Sequence, residues 1–483
     1  MGEHLFKTSV RVVVLLGCLS VGGLPRVWAQ TQTTGVHATL DVKATAVHTL
    51  TPQAGKSAGY QLIKTITPGI DVSSKGVNTQ IDGRWQFDVV DYARNRDTEK
   101  DSILPSGLLK LRAFGHQNEP GIDASVEAKQ VKSTLTVGAA PTPSNTANTY
   151  TDTTYRLSPF IEHELDSETR IAARIDRSLT QSNAIEVTQK PRPDIQKSDD
   201  MLKLSRQPTS LGYALQWHQH QEKSKDKVSG QTAPILNERL AQATALYTLT
   251  PELGMGLSSG KGSVRIETQS RPQTLYGMQL NWRPTERTVL NTEMQKRYFG
   301  KAWTLNASHT MRGVVFGLNS DRGVSTDGKL VDQGFDKGTF YDVAAQIRQS
   351  TSGKMTLIGR RDTTTIEAGL VRTSPLTVIN GESISGLTTA SRTKTYFFDA
   401  QLAHKLTPHS TLTTGVRWDK GATTVAATGN AVFSKGFTWR ASVNNALTPD
   451  TTANFGLKRQ ITRSPSITTS DDAEMFVGLG HRF

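Results

Sequence analysis

Four sets of residues in this 483-residue chain have the types and spacing to do chemistry. The first is the glycine-rich run 254–262, GMGLSSGKG, which resembles a phosphate-binding loop in composition. Only three residues separate Gly256 from Gly260-Lys261, and Gly262 stands where such a loop needs a hydroxyl on the metal. The run sits in an alternating context with no helix after it, so it reads as a strand or turn. The second set is His218 and His220, which share one face of an extended segment and could offer two imidazoles to a metal. No third ligand of matching type lies nearby, and histidines facing a water-filled interior are the plainer reading. The third set, Asp199, Asp200, Asp471, Asp472 and His409, could in principle make an acid–histidine hydrolase at a rim. No G-x-S-x-G elbow accompanies it, and no enzyme is expected. The fourth set is Arg283, Arg287, Asn291, Glu293, Arg297 and Arg312. Guanidinium groups lining a water-filled pore would select anions. In the competing reading, pairs such as Arg297 with Glu293 merely brace a wall.

The elements that must position the fourth set are legible over residues 274–312. Tyr276, Met278, Leu280 and Trp282 share one parity, with Gly277, Gln279, Asn281 and Arg283 on the other. The chain turns at Pro284-Thr285-Glu286 and alternates again, placing Leu290, Met294 and Tyr298 opposite Asn291, Glu293 and Arg297. Lys296 is the single cation on the apolar side. A third run sets Trp303, Leu305 and Met311 against Thr304, Asn306 and Arg312. Alternation with period two, repeated over runs of about ten residues, specifies strands that each have one apolar and one polar face. Runs of that length with aromatics near their ends suit tilted strands crossing a bilayer. Tyr276, Trp282, Tyr298 and Trp303 are therefore expected toward lipid or in the aromatic girdles. The six polar residues are expected toward a lumen.

The composition agrees. Only 36% of residues are hydrophobic and the mean hydropathy is −0.41, which excludes a helical membrane protein but not a barrel, half of whose strand residues face water. Residues 1–29 read as a secretory leader: Lys7 and Arg11, an apolar core over 12–24, and a Val27-Trp28-Ala29 cleavage site that would leave Gln30 first. A lipoprotein signal ending at Cys18 is the alternative, with a short apolar core. Cys18 is the only cysteine, so ordinary cleavage leaves no disulfide and no thiolate metal site. The formal charge of +13 favours anionic partners, either a solute inside or lipopolysaccharide phosphates outside. No cofactor and no nucleic acid are expected.

A recurring turn supports one architecture from end to end. Thr250-Pro251, Thr407-Pro408 and Thr448-Pro449, with Arg283-Pro284-Thr285 as a variant, each fall where an alternating run ends. Residues 181–201, 222–233 and 323–337 are long and polar, as extracellular loops are. Residues 236–249 could also form a helical face. The last run, Ala473, Met475, Val477, Leu479 and Phe483, resembles the C-terminal recognition signal of bacterial outer-membrane barrels. Phe483 would then be read by the barrel-assembly machinery, with the C-terminus periplasmic. The expected fold is an all-β, antiparallel meander transmembrane β-barrel spanning 30–483, with 18–22 strands, short periplasmic turns and long extracellular loops, in the outer membrane of a Gram-negative bacterium.

Trp282-Arg283-Pro284-Thr285-Glu286-Arg287-Thr288, followed by Arg297-Tyr298-Phe299-Gly300 and His309, resembles the outer-membrane β-barrel family associated with the PEP-CTERM/exosortase system. Members carry a W-x-P-s-x-R-T turn, then R-[YF]-F-G and a histidine on the next strand. Thr67-Pro68-Gly69-Ile70 and Leu157-Ser158-Pro159-Phe160 are similar to its earlier landmarks. Glu286 departs from the small or polar residue usual there. The resemblance implies an outer-membrane protein accompanying exopolysaccharide biosynthesis and protein sorting, and carries no catalytic residue with it. The function expected is a pore that passes or exports a polysaccharide or other anionic solute. The alternative is a non-conducting structural or adhesive barrel whose loops bind surface polymer.

Overall fold

The computed structural model describes residues 33–51, 59–92, 102–115, 120–132, 149–184, 193–208, 210–225, 232–266, 269–325, 346–376, 378–379, 382–383, 392–424, 431–464 and 467–483. The leader, Cys18 and all of 326–337 lie outside them. In chain order the strands are β1 (Thr33–Thr51), β2 (Gly59–Lys75), β3 (Thr79–Tyr92), β4 (Ser102–Phe114), β5 (Gly121–Lys132), β6 (Thr149–Glu164), β7 (Thr169–Ala184), β8 (Asp194–Arg206), β9 (Leu211–Lys225), β10 (Thr232–Thr250), β11 (Leu253–Ile266) and β12 (Gln269–Thr285). They continue with β13 (Thr288–Arg297), β14 (Gly300–Met311), β15 (Val314–Ser325), β16 (Gln346–Ile358), β17 (Asp362–Pro375), a two-residue hairpin β18 (Val378–Ile379) and β19 (Glu382–Ser383), then β20 (Arg392–Lys405), β21 (Ser410–Thr424), β22 (Ala431–Ala446), β23 (Thr451–Ser464) and β24 (Ile467–Arg482). Apart from the small hairpin, every strand pairs antiparallel with its predecessor and successor, and β24 pairs with β1, closing a 22-stranded barrel. Closure removes every sheet edge, which a structure in lipid requires because no water is there to bond unpaired peptide groups. The described residues contain no helix. Residues 236–249, where a helical face was an alternative, lie within β10.

Residues directly opposite one another share a face, so the register sorts inside from outside. Met255, Leu257, Tyr276, Met278 and Trp282 are exposed on the outer wall, as are Phe398, Trp418, Phe437, Phe455, Met475 and Val477 around the barrel. An apolar surface this continuous needs lipid against it. Together with closure, it makes the chain an outer-membrane β-barrel.

One end carries short turns. The Thr-Pro repeat now has a physical cause: the hydroxyl of each turn threonine accepts a backbone N–H two residues on. Thr250 accepts from Glu252, Thr285 from Arg287, Thr407 from His409 and Thr448 from Asp450, at 3.2–3.3 Å. The C-terminus lies at this periplasmic end. There Phe483 N donates to Ala38 O at 2.8 Å, and the ring packs edge-on against His481. Strands run up to 19 residues, in β1 and β10, beyond what a bilayer crossing needs, and the excess projects on the extracellular side. Parts of the polar stretches 181–201 and 222–233 are consequently strand, in β7–β8 and β9–β10.

Candidate functional site

The glycine run 254–262 lies in β11 and turns Gly254, Gly256, Gly260 and Gly262 inward, opposite Gln242, Gln279 and Gln273 of neighbouring strands. No helix follows it. Gly262 is obligatory for packing, because a Cβ there would collide with the Arg239 carbonyl.

Many inward-facing cations are matched to carboxylates on nearby strands. Arg84 on β3 reaches Asp41 on β1 at 2.6 Å and Asp71 on β2 at 3.6 Å. Asp123 on β5 bridges Arg112 on β4 (3.1 Å) and Arg174 on β7, and both guanidinium groups also lie over the Phe160 ring. Arg156 holds Asp176, and Lys197 lies 3.6 Å from the buried Glu222. His218 and His220 do share one face, and both ring N–H groups donate to one carboxylate, Asp199, at 2.8 and 3.0 Å. Among the described residues no group of three His, Cys, Asp or Glu side chains is placed to hold a metal ion. The supposed hydrolase set is scattered. His409 is in a periplasmic turn, Asp200 is tied to Arg177 on the outer wall, and Asp471 pairs with Arg459 at the other end.

The six polar residues read from the sequence separate into two groups. Asn291 and Glu293 lie in β13 on the inner face, opposite Asn281 and Gln279. Arg283, Arg287 and Arg312 sit exposed at the periplasmic rim, in or beside the β12–β13 and β14–β15 turns, rather than along the lumen. For Arg283 and Arg287 the alternation ends in a register shift after Trp282, and Arg312 lies just past the last residue of β14. Arg297 is inward at the far end of β13, but its partner is Glu238 on β10, not Glu293. Glu238 also accepts from Gln273 Nε2 at 3.2 Å, whereas Glu293 accepts from Gln295.

The girdle residues divide as well. Tyr276 and Trp282 are exposed on the outer wall, and Trp303 lies on that face with Nε1 donating to Ser320 at 3.0 Å. Tyr298 does not face lipid. It is 2% exposed in the β13–β14 turn, where it packs with Phe299, Ile235, Leu236, Val264, Ile266 and Leu376. β13 is the shortest barrel strand, at 10 residues, so its turn stops below its neighbours' ends and folds against the inward-facing Leu236, Val264 and Ile266. A second apolar cluster, Val47, Ile63, Val90 and Leu104, lines the inner face of β1–β4 at the same extracellular level. Packed apolar side chains therefore line the outer mouth.

The inner wall between these levels carries a feature missed in the sequence. Asn281, Asn291, Asn306 and Asn319 lie directly opposite one another on β12, β13, β14 and β15, and Ser352 on β16 continues the row. Asn281, Asn306 and Asn319 are exposed to the lumen. Among the described residues, none of the four side-chain amides is engaged in a hydrogen bond. The signal was available, since residues equidistant from a hairpin's turn are cross-strand partners, but it requires the register of three hairpins at once.

No protein-family model matches this sequence, and neither does any curated protein. Among solved structures, the chain is similar to a loop-deletion mutant of OmpT, an outer membrane protein of Vibrio cholerae. That match has 7% identity and a TM-score of 0.35, over 94% of this chain and 100% of that one. It is also similar to OccAB4 of Acinetobacter baumannii, at 11% identity and TM-score 0.37, over 94% and 99% of the two chains. The FrpB iron transporter from Neisseria meningitidis matches at 11% identity and TM-score 0.42, over 92% and 82%. Likeness at this level carries no argument about solutes.

Proposed function

We propose that the chain is an outer-membrane channel that passes or exports a polysaccharide. The observation that carries this reading is the lumen-facing row Asn281–Asn291–Asn306–Asn319, whose amides offer two donors and an acceptor each without adding charge. Sugar hydroxyls are satisfied by such groups, and a row across four strands lets a chain of sugars exchange partners as it moves. An anionic solute fits less well, because Arg84, Arg112, Arg156, Arg174 and Arg297 on the inner wall already hold carboxylates. The resemblance to barrels that accompany exopolysaccharide genes supports the polysaccharide. The same reading assigns β24 and Phe483 to the barrel-assembly machinery.

The test is single-channel recording of the purified mature chain in a planar bilayer. Steady current with weak ion selectivity is expected, interrupted by oligosaccharide added on the periplasmic side. Asn291→Leu with Asn306→Leu should shorten the interruptions several-fold. Silence from a folded, heat-modifiable barrel overturns the channel.

The packed outer mouth favours one second reading, a non-conducting barrel that binds surface polymer through its loops. Deleting residues 326–337 would then abolish polymer retention while export continued.

A further inference from the structure

The positive charge of this protein has an address on the outside of the barrel. Lys420 on β21, Lys435 on β22 and Arg463 on β23 are directly opposite one another in consecutive strands, all on the outer wall and all exposed. Beside them Arg372 on β17 faces Lys394 on β20, whose ammonium lies 4.8 Å from the Tyr396 ring centre. Like charges directly opposite across a ladder are destabilising. On the inner wall this chain avoids that cost by placing carboxylates within reach of Arg84, Arg112, Arg156 and Arg174. Here the outer faces of β17 and β20–β23 present no carboxylate at this level among the described residues. The nearest, Asp471 on β24, is already bidentate on Arg459 at 2.9 and 3.1 Å.

The height of the cluster matters as much as its charge. Two residues nearer the periplasm on the same face, Phe398, Trp418, Phe437 and Ile461 form the next row, apolar throughout and exposed at its three aromatics. Aromatic side chains mark the membrane–water interface, and the cations sit one row above them on the extracellular side. A molecule held there has anionic groups at the cations and acyl chains running down over the aromatics. The pattern repeats on a smaller scale further round the barrel, where Lys296 faces Lys301 on one side and Tyr276 on the other. Lys296, the cation that broke the apolar parity of its strand, falls into place at that level.

We infer that Lys420, Lys435 and Arg463, flanked by Arg372 and Lys394, form a docking surface for the phosphorylated headgroup of an outer-leaflet glycolipid. The lipid's phosphates supply the counter-charge missing from the protein, and lysine and arginine side chains there hold them by charge-assisted hydrogen bonds.

The test measures binding of the folded mature protein to phosphatidylcholine vesicles carrying diphosphorylated lipid A, against vesicles carrying the dephosphorylated lipid. Three surface charges at an anionic leaflet are worth about a hundredfold in affinity, so Lys420→Gln with Lys435→Gln and Arg463→Gln should weaken binding by that order. Lys64→Gln, an outer-wall cation on β2 that lies three strands beyond Arg463 and opposite Asp91, serves as the control and should change nothing. Heat-modifiability shows that the triple variant is folded, and if it is not, the single variants each give a several-fold loss. Equal binding of wild type and triple variant overturns the inference, as does equal binding of the two lipids. Inorganic phosphate competing at the concentration of lipid phosphate would mean that a free anion, not a lipid headgroup, is the ligand, and overturns it too.

Discussion

The inner wall and the extracellular outer rim use the same basic residues in opposite ways. Inside, Arg84, Arg112, Arg156, Arg174 and Arg297 each meet a carboxylate supplied by another strand. On the rim, Lys420, Lys435 and Arg463 stand shoulder to shoulder without one. A surplus of +13 in the sequence therefore does not make a basic pore. Charges in a partly dehydrated interior must be neutralised within the protein, because desolvation there costs several kcal/mol per ion. At the membrane surface, counter-charge can come from outside.

The comparison breaks most severely at Glu238. Its loss leaves Arg297 buried without its ion, so Glu238→Ala should destabilise the barrel by about 3–5 kcal/mol, read as a drop in the urea midpoint of the folded protein in detergent micelles. Replacing both partners by methionine should recover most of that loss. Equal loss in the double variant would mean that the pair is not compensating charge.

Asp123→Asn tests the inner wall functionally. It releases Arg112 and Arg174 together, so the channel should become several-fold more anion-selective in reversal-potential measurements. Lys435→Gln, on the rim, should leave selectivity where it was. Comparable shifts from the two variants would erase the distinction between the regions.

The packed mouth gives a smaller effect. Tyr298→Ala with Phe299→Ala empties the β13–β14 turn and should raise unit conductance about two-fold, provided the variant keeps its heat-modifiable mobility. Unchanged conductance would place the narrowest point elsewhere.

The smallest effect is expected at the periplasmic turn between β6 and β7, where water already neutralises the charges. Arg206 pairs there with Glu168 at 2.7 Å, and Arg206→Gln should not move the urea midpoint measurably. Backbone N–H groups of Glu168 and Thr169 hold the Asp166 carboxyl below its ordinary value of 3.8. Its contribution to the turn is therefore complete above that value and is lost as pH falls through the lowered one. Asp166→Asn should flatten that acid limb, which a pH series of melting curves would detect.

Much of the fold was legible because its determinants are local. Alternation at period two, the Thr-Pro turns and the terminal aromatic place strands, faces and ends using residues a few positions apart. The same locality explains the errors. Parity continues on paper past Trp282, but the register shifts there and leaves Arg283 and Arg287 at the rim, while Arg312 falls just past the end of β14. Tyr298 has the parity of a lipid-facing residue, yet a short strand tucks its turn inward.

The sequence by itself determined that this is a meandering membrane barrel, and roughly how many strands it has, since side-chain direction in a strand depends only on odd or even position. Tertiary structure decided which charges meet. Arg297 finds Glu238 at a separation of 59 residues, past a Glu293 only four positions away. It also decided that four asparagines from four strands form one row, and that Lys420, Lys435 and Arg463 form another. Those alignments depend on register summed around a closed sheet, and no single stretch of the chain encodes it.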